Sequence, residues 1–401
     1  MTFIKRFFNA KLVLALLIFL LVSFGTLWQI DKRIRADEWL WVPLGVRLMN
    51  AAESGNLLET KVSTRPGVTI SWISGLTTKI SQSIDHIEVE PVGSNVYVER
   101  RGYVINRIVF GMLIALLLLI SFLLLDGLLG RRRALLISIL ISIHPLTLLK
   151  GNIVWTDLFL AIFMLLSVLT YLLYLGKNKA VFLVAAGIFF GLSIATKTAG
   201  IVLLPSFLIA SSLIKLDKRN FKKAFFSTVA TAFFGTALYC LIYPYLWQHP
   251  LGLLDRYSDL SKEISSGMEV TGIFSLFYYP QVLFKAEPIA TAAFVILLII
   301  LLFVFVRGWR IPTLLILTAF ATLIYIGALT WVSQFGYFNG RRIASGRYIV
   351  PAVYFMIIFM VGTADYFAKK GFKILWLFPV VAILMNLYNL VSYFPYDINN
   401  Y

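Results

Sequence analysis

Apolar segments of about 16 to 21 residues alternate with short polar segments along the 401-residue chain. Eleven such segments cover residues 12–30, 105–125, 134–149, 157–175, 180–196, 199–214, 224–243, 288–306, 312–331, 349–366 and 373–391. A helix of about 20 apolar residues crosses the hydrocarbon core of a bilayer. The pattern therefore predicts an all-α polytopic membrane protein with about eleven transmembrane helices. Only 14% of the residues are charged, against about a quarter in soluble proteins, which agrees with this prediction.

The formal net charge of +17 would suggest nucleic acid in a soluble protein. Here the basic residues cluster in every second polar segment, starting from the N-terminus, at residues 127–133, 176–179, 215–223, 307–310 and 368–373. Basic clusters of this kind mark cytoplasmic loops. We therefore expect a multi-pass protein of the plasma (inner) membrane, with the N-terminus in the cytoplasm and the C-terminus outside it.

Two of the extracytoplasmic segments are long, at residues 31–104 and 244–287. The first contains amphipathic stretches around 38–55 and 67–84, which favour helices lying on the membrane surface. We expect residues 1–401 to form a single integral-membrane domain without a soluble C-terminal domain. Cys240 is the sole cysteine, so an internal disulfide is excluded.

Charged residues near the outer ends of the spans need an explanation, because charge is costly there and the outer cations oppose the topology rule. They are Asp37, Glu38, Arg101, Arg107, Asp157, Lys197, Arg341, Arg342 and Arg347. Asp37 and Glu38 have two interpretations: the first turn of a surface helix, where the helix dipole favours carboxylates, or a general base for an attacking hydroxyl.

The cations also have alternatives. Lys197, in a short hairpin, either extends to the lipid headgroups or binds an anion, and guanidinium groups such as those of Arg107 and Arg347 suit a phosphate. Asp157 begins the fourth span, where capping or pairing with a cation is favoured over metal binding. His144, before Pro145, is interpreted as structural.

Carboxylates and cations at one membrane surface suit a lipid phosphate as ligand and a hydroxyl or amine as second substrate. The chain contains no Walker loop, no G-x-G-x-x-G and no H-E-x-x-H motif, so nucleotide-driven pumping and zinc proteolysis have no support. No cofactor is expected, and metal-independent chemistry is predicted.

Several stretches together resemble the GT-C superfamily of polyprenyl-phosphate-sugar-dependent glycosyltransferases, above all the protein O-mannosyltransferase branch and its bacterial relatives, which include the lipid A aminoarabinose transferases. In chain order they are ADEWLW (36–41), STRPGVTISWISG (63–75), HPLTLLKGNIVWTDLFLAIFMLL (144–166), GIFFGLSIATKTAGIVLLP (187–205), YPYLWQHPLG (243–252) and GRYIVP (346–351). Arg65 stands where the family often has histidine.

The resemblance implies that Asp37 is the catalytic base and that Glu38 supports it or the acceptor. It implies a polyprenyl-phosphate-linked sugar as donor, with the lipid between helices and the phosphate near Arg107, Lys197 and Arg347. The reaction would be an inverting single displacement onto an extracytoplasmic acceptor. Further residues with a donor, acceptor or structural role would be Arg65, Asp157 and Arg101.

Two features of the chain differ from particular branches of this superfamily. The second extracytoplasmic segment is too short for the soluble sugar-binding-type domain of eukaryotic protein mannosyltransferases. The chain also ends soon after its last span, which argues against oligosaccharyltransferases with their large C-terminal domain.

Three other functions stay open. A transporter or lipid flippase would suit the helices and outer cations, although transporters more often show repeated halves and spans broken near the midplane. Here the charges lie at the outer surface beside a long first loop, which favours an enzyme. An O-antigen ligase or polymerase would also use a lipid-linked sugar, but it would leave the Asp37–Glu38 pair unexplained. A structural subunit of an envelope complex would tolerate Asp37→Asn without consequence.

Overall fold

The computed structural model describes most of the chain. The described residues are 10–27, 30, 34–61, 67–92, 95–148, 151, 153–214, 218–250, 252, 278–307, 311–333, 337–338, 341–342 and 346–393. Helices dominate this part of the structure, and two short antiparallel hairpins are the strands found in it.

The first half of the chain begins with a membrane-type helix and continues through the long first polar segment into a series of helical hairpins. Its α-helices are α1 (Ala10–Leu27), α2 (Ala36–Glu53), α3 (Val68–Asp85), α4 (Arg100–Leu129), α5 (Arg131–Ser142), α6 (Pro145–Leu148), α7 (Thr156–Lys177) and α8 (Ala180–Thr196). A 3₁₀ turn at Leu57–Thr60 follows α2, and strands β1 (Val89–Val92) and β2 (Asn95–Val98) precede α4.

The second half continues the helical pattern. Its α-helices are α9 (Leu203–Ile214), α10 (Lys218–Ile242), α11 (Tyr245–Gln248), α12 (Tyr278–Ala286), α13 (Pro288–Val306), α14 (Thr313–Ser333), α15 (Val350–Ala368) and α16 (Leu377–Tyr393). The 3₁₀ turns Thr198–Val202, Gly346–Ile349 and Lys373–Trp376 precede α9, α15 and α16, and strands β3 (Tyr337–Phe338) and β4 (Arg341–Arg342) lie between α14 and α15.

Apolar helices stand at ten of the eleven predicted spans. Seven helices within the described residues are long and apolar enough to cross a membrane, and shorter apolar helices at Val13–Leu27, Ala180–Thr196 and Thr198–Ala210 account for three more predicted spans. The prediction of an all-α polytopic membrane protein is confirmed.

The third predicted span, residues 134–149, differs most from its prediction. Helix α5 stops at Ser142 after 12 residues, and the four-residue helix α6 starts anew at Pro145. Proline lacks the N–H that would continue the helix and disfavours the helical conformation in the residue before it. The predicted span is therefore broken at His144.

The first polar segment forms two packed helices, α2 and α3, near the two predicted amphipathic stretches. The helices approach closely where glycines face each other: a Cβ on Gly45 would lie 2.5 Å from the backbone nitrogen of Gly75. Helix α3 contacts the membrane-type helices, because the indole N–H of Trp72 donates to the carbonyl of Ile242 at 2.6 Å. The segment therefore packs against one end of the bundle.

The segment ends in a β-hairpin that was not predicted from the sequence. Strands β1 and β2 pair antiparallel, with Val89 opposite Val98 and Val92 opposite Asn95. The chain then enters α4 at Arg100.

Two helices lie at the centre of the bundle. Within α7 and α15, 89% and 83% of the residues in the most apolar window are buried by protein, whereas the other five long spans are from 17% to 61% buried. Helix α7 makes contacts with α4, α8 and α15.

Candidate functional site

Asp37 and Glu38 lie in the first turn of α2, where the helix dipole favours carboxylates. The backbone N–H of Arg35 donates to Oε2 of Glu38 at 2.9 Å, so the Glu38 side chain folds back over the start of the helix. Asp37 is half-buried and Glu38 is fully buried. The two adjacent carboxylates thus have different surroundings.

Glu38 forms a bidentate ion pair with Arg107 of α4. Nε and Nη2 of the guanidinium donate to the two carboxylate oxygens at 2.7 and 2.6 Å, and Nη1 donates to the carbonyl of Ile30 at 2.8 Å. The side chains of Arg107 and Glu38 are 3% and 0% exposed. This pair joins the start of α2, the end of the first apolar segment and α4.

The predicted contact of Arg107 with a donor phosphate stays a prediction. The guanidinium is buried, and Glu38 and a backbone carbonyl accept three hydrogen bonds from its Nε, Nη1 and Nη2 atoms. Two parallel N–H···O bonds match the fork geometry that a phosphate would also use. The arrangement therefore favours a positioning role for Arg107.

Asp157 and Lys197 form a second ion pair. Asp157 lies in the first turn of α7, and Lys197 follows α8 in an extended conformation. Nζ of Lys197 donates to Oδ1 of Asp157 at 2.6 Å, with side-chain exposures of 24% for the lysine and 2% for the aspartate. Pairing with a cation was one of the predicted roles of Asp157.

Tyr348 covers the other side of the Lys197 ammonium group. Nζ lies 3.7 Å from the centre of the Tyr348 ring, in cation–π contact. The hydroxyl of Tyr325 on α14 donates to the Tyr348 carbonyl at 3.0 Å and fixes this turn. Neither tyrosine was predicted as a site residue, although Tyr348 belongs to the stretch GRYIVP (346–351).

The two ion pairs lie at the same end of the bundle. Phe110 of α4 and Phe159 of α7 pack edge to face with ring centroids 5.2 Å apart. Arg107 comes three residues before Phe110, and Asp157 comes two residues before Phe159. Both pairs therefore stand near the start of neighbouring helices.

The other predicted site residues are more peripheral or lie outside the described side chains. Arg101 is 61% exposed, and its Nη2 lies 3.7 Å from Oδ1 of Asp85, which is a surface ion pair. Arg65 falls outside the described residues, and the side chains of Arg341, Arg342 and Arg347 are likewise outside the described part. The predicted roles of Arg65 and Arg347 stay predictions.

His144 has a partner that the sequence did not suggest. The backbone N–H of Leu146 donates to Nδ1 at 3.2 Å, so Nε2 carries the hydrogen and donates to Oε1 of Glu287 at 2.7 Å. The pair links the break after α5 to the start of α13. The available signal was the sequence Glu287–Pro288 at a helix start, where an acid precedes proline.

Within the described residues, no group of three or more His, Cys, Asp or Glu side chains is arranged to hold a metal ion. Asp157 has its lysine partner, and Glu38 has its arginine partner.

Comparison with known proteins adds independent evidence. Residues 79–248 match the family model of dolichyl-phosphate-mannose-protein mannosyltransferase. No curated protein matches the chain by sequence.

Among solved structures, the chain is similar to ArnT from Cupriavidus metallidurans bound to undecaprenyl phosphate, with 15% identity and a TM-score of 0.61 over 98% of this chain and 67% of that one. The apo state of the same ArnT gives 16% identity and a TM-score of 0.57, over 97% of this chain and 66% of that one. The chain thus spans about two thirds of the length of ArnT.

The family match and the fold agree with the predicted resemblance. The described bundle shares its fold with ArnT. The family model matches part of the chain, residues 79–248, and the similarity of fold to ArnT extends over nearly all of it. Both matches lie in the branch that the sequence resemblance named.

Proposed function

We propose that the protein transfers a sugar from a polyprenyl-phosphate-linked donor to an extracytoplasmic acceptor, with Asp37 as the general base. The acceptor would be a protein hydroxyl, a lipid or a cell-envelope glycan. The donor class is supported by the family match over residues 79–248 and by the undecaprenyl phosphate bound to the structurally similar ArnT.

The observation that carries the proposal is the contrast between the two adjacent carboxylates of α2. Glu38 is buried and its charge is compensated by Arg107. Asp37 is half-buried in the same helical turn, so it is the carboxylate of the pair that an acceptor can reach. The ion pair fixes the helix start that carries Asp37, which is what a base needs for alignment with its substrate.

The proposed reaction is a single displacement with inversion. The acceptor hydroxyl oxygen attacks the anomeric carbon while the bond from that carbon to the phosphate oxygen breaks. The hydroxyl proton moves to Asp37, and the polyprenyl phosphate leaves with the electron pair of the broken bond. No general acid is needed, because cations can stabilise the charge that develops on the leaving oxygen.

Lys197 is the cation that we assign to this phosphate. Its ammonium group has three donors, of which one is given to Asp157, and its side chain is 24% exposed against 3% for Arg107. The backbone of Arg347 adjoins Tyr348, whose ring lies on the lysine, and this proximity supports Arg347 as a second phosphate ligand.

The orientation in the membrane is part of the proposal. We place the start of α4 and both ion pairs on the extracytoplasmic side of the plasma membrane, with the N-terminus inside and the C-terminus outside. The alternation of basic polar segments supports this orientation. Residues 1–401 would act as one membrane domain, with 31–104 and 244–287 on the extracytoplasmic side.

The proposal is tested by sugar transfer with purified protein. Radiolabelled polyprenyl-phosphate sugars are offered with acceptors from a membrane extract, and wild type is compared with Asp37→Asn. Loss of a general base is expected to lower turnover about a hundredfold or more with donor binding retained. Asp85→Asn is the matched control, because Asp85 is an exposed acid on α3, and it should keep wild-type turnover.

Equal turnover of Asp37→Asn and wild type would remove Asp37 as the base. Lipid movement across liposomes without transfer of any sugar would replace the enzyme with the transporter that the sequence also allowed.

A further inference from the structure

A cavity with both basic and apolar lining lies at the opposite end of the bundle from the candidate site. It has a volume of about 510 Å³ and opens between the α4–α5 connection, the end of α15 and the turn before α16. Its lining residues are Leu129, Gly130, Arg131, Arg132, Arg133, Leu136, Asp365 and Trp376. At 1.5 Å per residue, the 22 residues from Arg107 to Leu129 on α4 separate this cavity from the candidate site by about 33 Å.

The cavity carries an excess of positive charge. Nε of Arg133 contacts Oδ1 of Asp365 at 2.7 Å, and Nζ of Lys369 contacts Oδ2 at 3.1 Å. The single carboxylate of the lining is thus shared by two cations. Arg131 and Arg132 are exposed, and neither has an ion pair or a side-chain hydrogen bond to the part of the chain that the structure describes.

The backbone adds to this positive potential. Gly130 has a left-handed conformation with φ of +82° and separates α4 from α5. Helix α5 begins directly after it, at Arg131. The N–H groups of the first turn of a helix carry partial positive charge and favour an anion there. The helix start and the arginine side chains therefore both favour an anionic ligand.

The opposite wall of the cavity is apolar. Leu136 and Trp376 line it, and Ile374 and Leu377, on either side of Trp376 in sequence, are strongly exposed. Tryptophan is typical of the boundary between headgroups and acyl chains. A ligand of this cavity thus meets guanidinium groups on one side and apolar side chains on the other.

We propose that this cavity binds the headgroup of an anionic phospholipid, with the phosphate at Arg131 and Arg132 and the acyl chains along Trp376. The proposal goes beyond the sugar transfer proposed above, since it concerns a separate site at the other end of α4. Basic pockets between membrane helices on the cytoplasmic side are suited to such lipids. A soluble phosphate would leave the apolar wall without a contact, so the lipid is favoured.

The test compares lipid binding by the full chain in detergent micelles. Native mass spectrometry counts phosphatidylglycerol and phosphatidylcholine bound at equal concentration. Wild type is expected to prefer phosphatidylglycerol about tenfold or more, and R131Q/R132Q should lose most of that preference. The matched control is K177Q/K179Q, which removes two exposed basic side chains from another polar connection and should keep the preference.

The outcomes separate the sources of the effect. No preference in wild type, or the same loss of preference in both double variants, overturns the proposal and leaves the arginines as topology signals. Displacement of the lipid by millimolar inorganic phosphate would overturn the lipid and leave a simple anion site. If R131Q/R132Q fails to fold, the comparison of the two lipids and of inorganic phosphate on wild type still decides the question.

Discussion

Two ion pairs stand near the start of neighbouring helices, and they differ in how completely they enclose their charges. Glu38 and Arg107 meet through two hydrogen bonds and are almost without exposed surface. Asp157 and Lys197 meet through a single contact, and a quarter of the lysine side chain is exposed. Both charges of the Glu38–Arg107 pair are enclosed, and we call it the closed pair. The Asp157–Lys197 pair keeps an ammonium group that a ligand can reach, and we call it the accessible pair.

The difference in exposure matters because an enclosed charge and an accessible charge can have different roles. A buried guanidinium that is already neutralised by a carboxylate has little charge left for a ligand, and removing either partner leaves an uncompensated buried charge. An ammonium group with spare donors can stabilise negative charge that develops during a reaction. Residue type and depth alone gave Arg107 and Lys197 the same predicted role, and their partners separate the two.

The largest expected effect comes from breaking the closed pair. Arg107→Leu leaves Glu38 buried without its counter-charge, and we expect the free energy of unfolding to fall by about 3–5 kcal/mol. Arg101→Leu, at the exposed surface pair with Asp85, should change it by less than about 0.5 kcal/mol. Equilibrium unfolding in mixed micelles measures both. Similar small losses in the two variants would contradict the enclosed role of Arg107.

The accessible pair should respond in activity more than in stability. Lys197→Gln is expected to lower sugar turnover about a hundredfold, since a donor to the leaving phosphate is lost, and to cost less stability than Arg107→Leu. Lys79→Gln removes a lysine from an exposed pair with Glu53 and serves as control with unchanged turnover. Wild-type turnover in Lys197→Gln would contradict the assignment of Lys197 to the phosphate. The result for Asp37→Asn would be unaffected, because it tests the general base separately.

Double variants sharpen the comparison. Replacing the whole closed pair, as in Glu38→Gln with Arg107→Met, should restore stability to within about 1 kcal/mol of wild type, because no unpaired charge remains. Asp157→Asn with Lys197→Met should fold for the same reason and yet stay inactive. Thermal unfolding and the transfer assay together provide the readouts. Recovery of activity in the second double variant would show that the accessible pair is structural.

The smallest effect is expected at the Tyr348 ring. Tyr348→Leu removes the cation–π contact with Lys197, and we expect the KM for the donor to rise about fivefold. Tyr348→Phe retains the ring face and should keep the wild-type KM. An equal rise in both variants would point to the hydroxyl group instead of the ring.

Sequence predicted the helical membrane architecture well, because hydropathy reports directly on burial in a bilayer. The two surface helices of the first polar segment were also predictable from their amphipathic stretches. The β1–β2 hairpin had a signal as well: apolar residues alternate on both sides of Gly93–Ser94, although Pro91 weakened the first strand.

The partners in the ion pairs could not be predicted from the sequence. Glu38 and Arg107 are 69 residues apart, and His144 and Glu287 are 143 residues apart. Helical periodicity relates residues within a few turns of one helix, so it has no bearing on which charges meet between helices. The exposure of Lys197 and the burial of Arg107 follow from packing in three dimensions, and these two properties distinguish their proposed functions.

The burial of α7 has a consequence for how the chain is made. Of the window in α7, 89% is enclosed by protein, yet α8 to α16, several of which surround it, are synthesised after it. When α7 leaves the translocon, it is first surrounded by lipid. Its contacts with acyl chains are later replaced by contacts with the neighbouring helices. Replacing lipid by protein contacts gains little hydrophobic free energy, so the association of the helices depends on how closely their side chains pack. A bulky substitution on α7 should therefore spare insertion and impair assembly, leaving an inserted protein that quality-control proteases recognise.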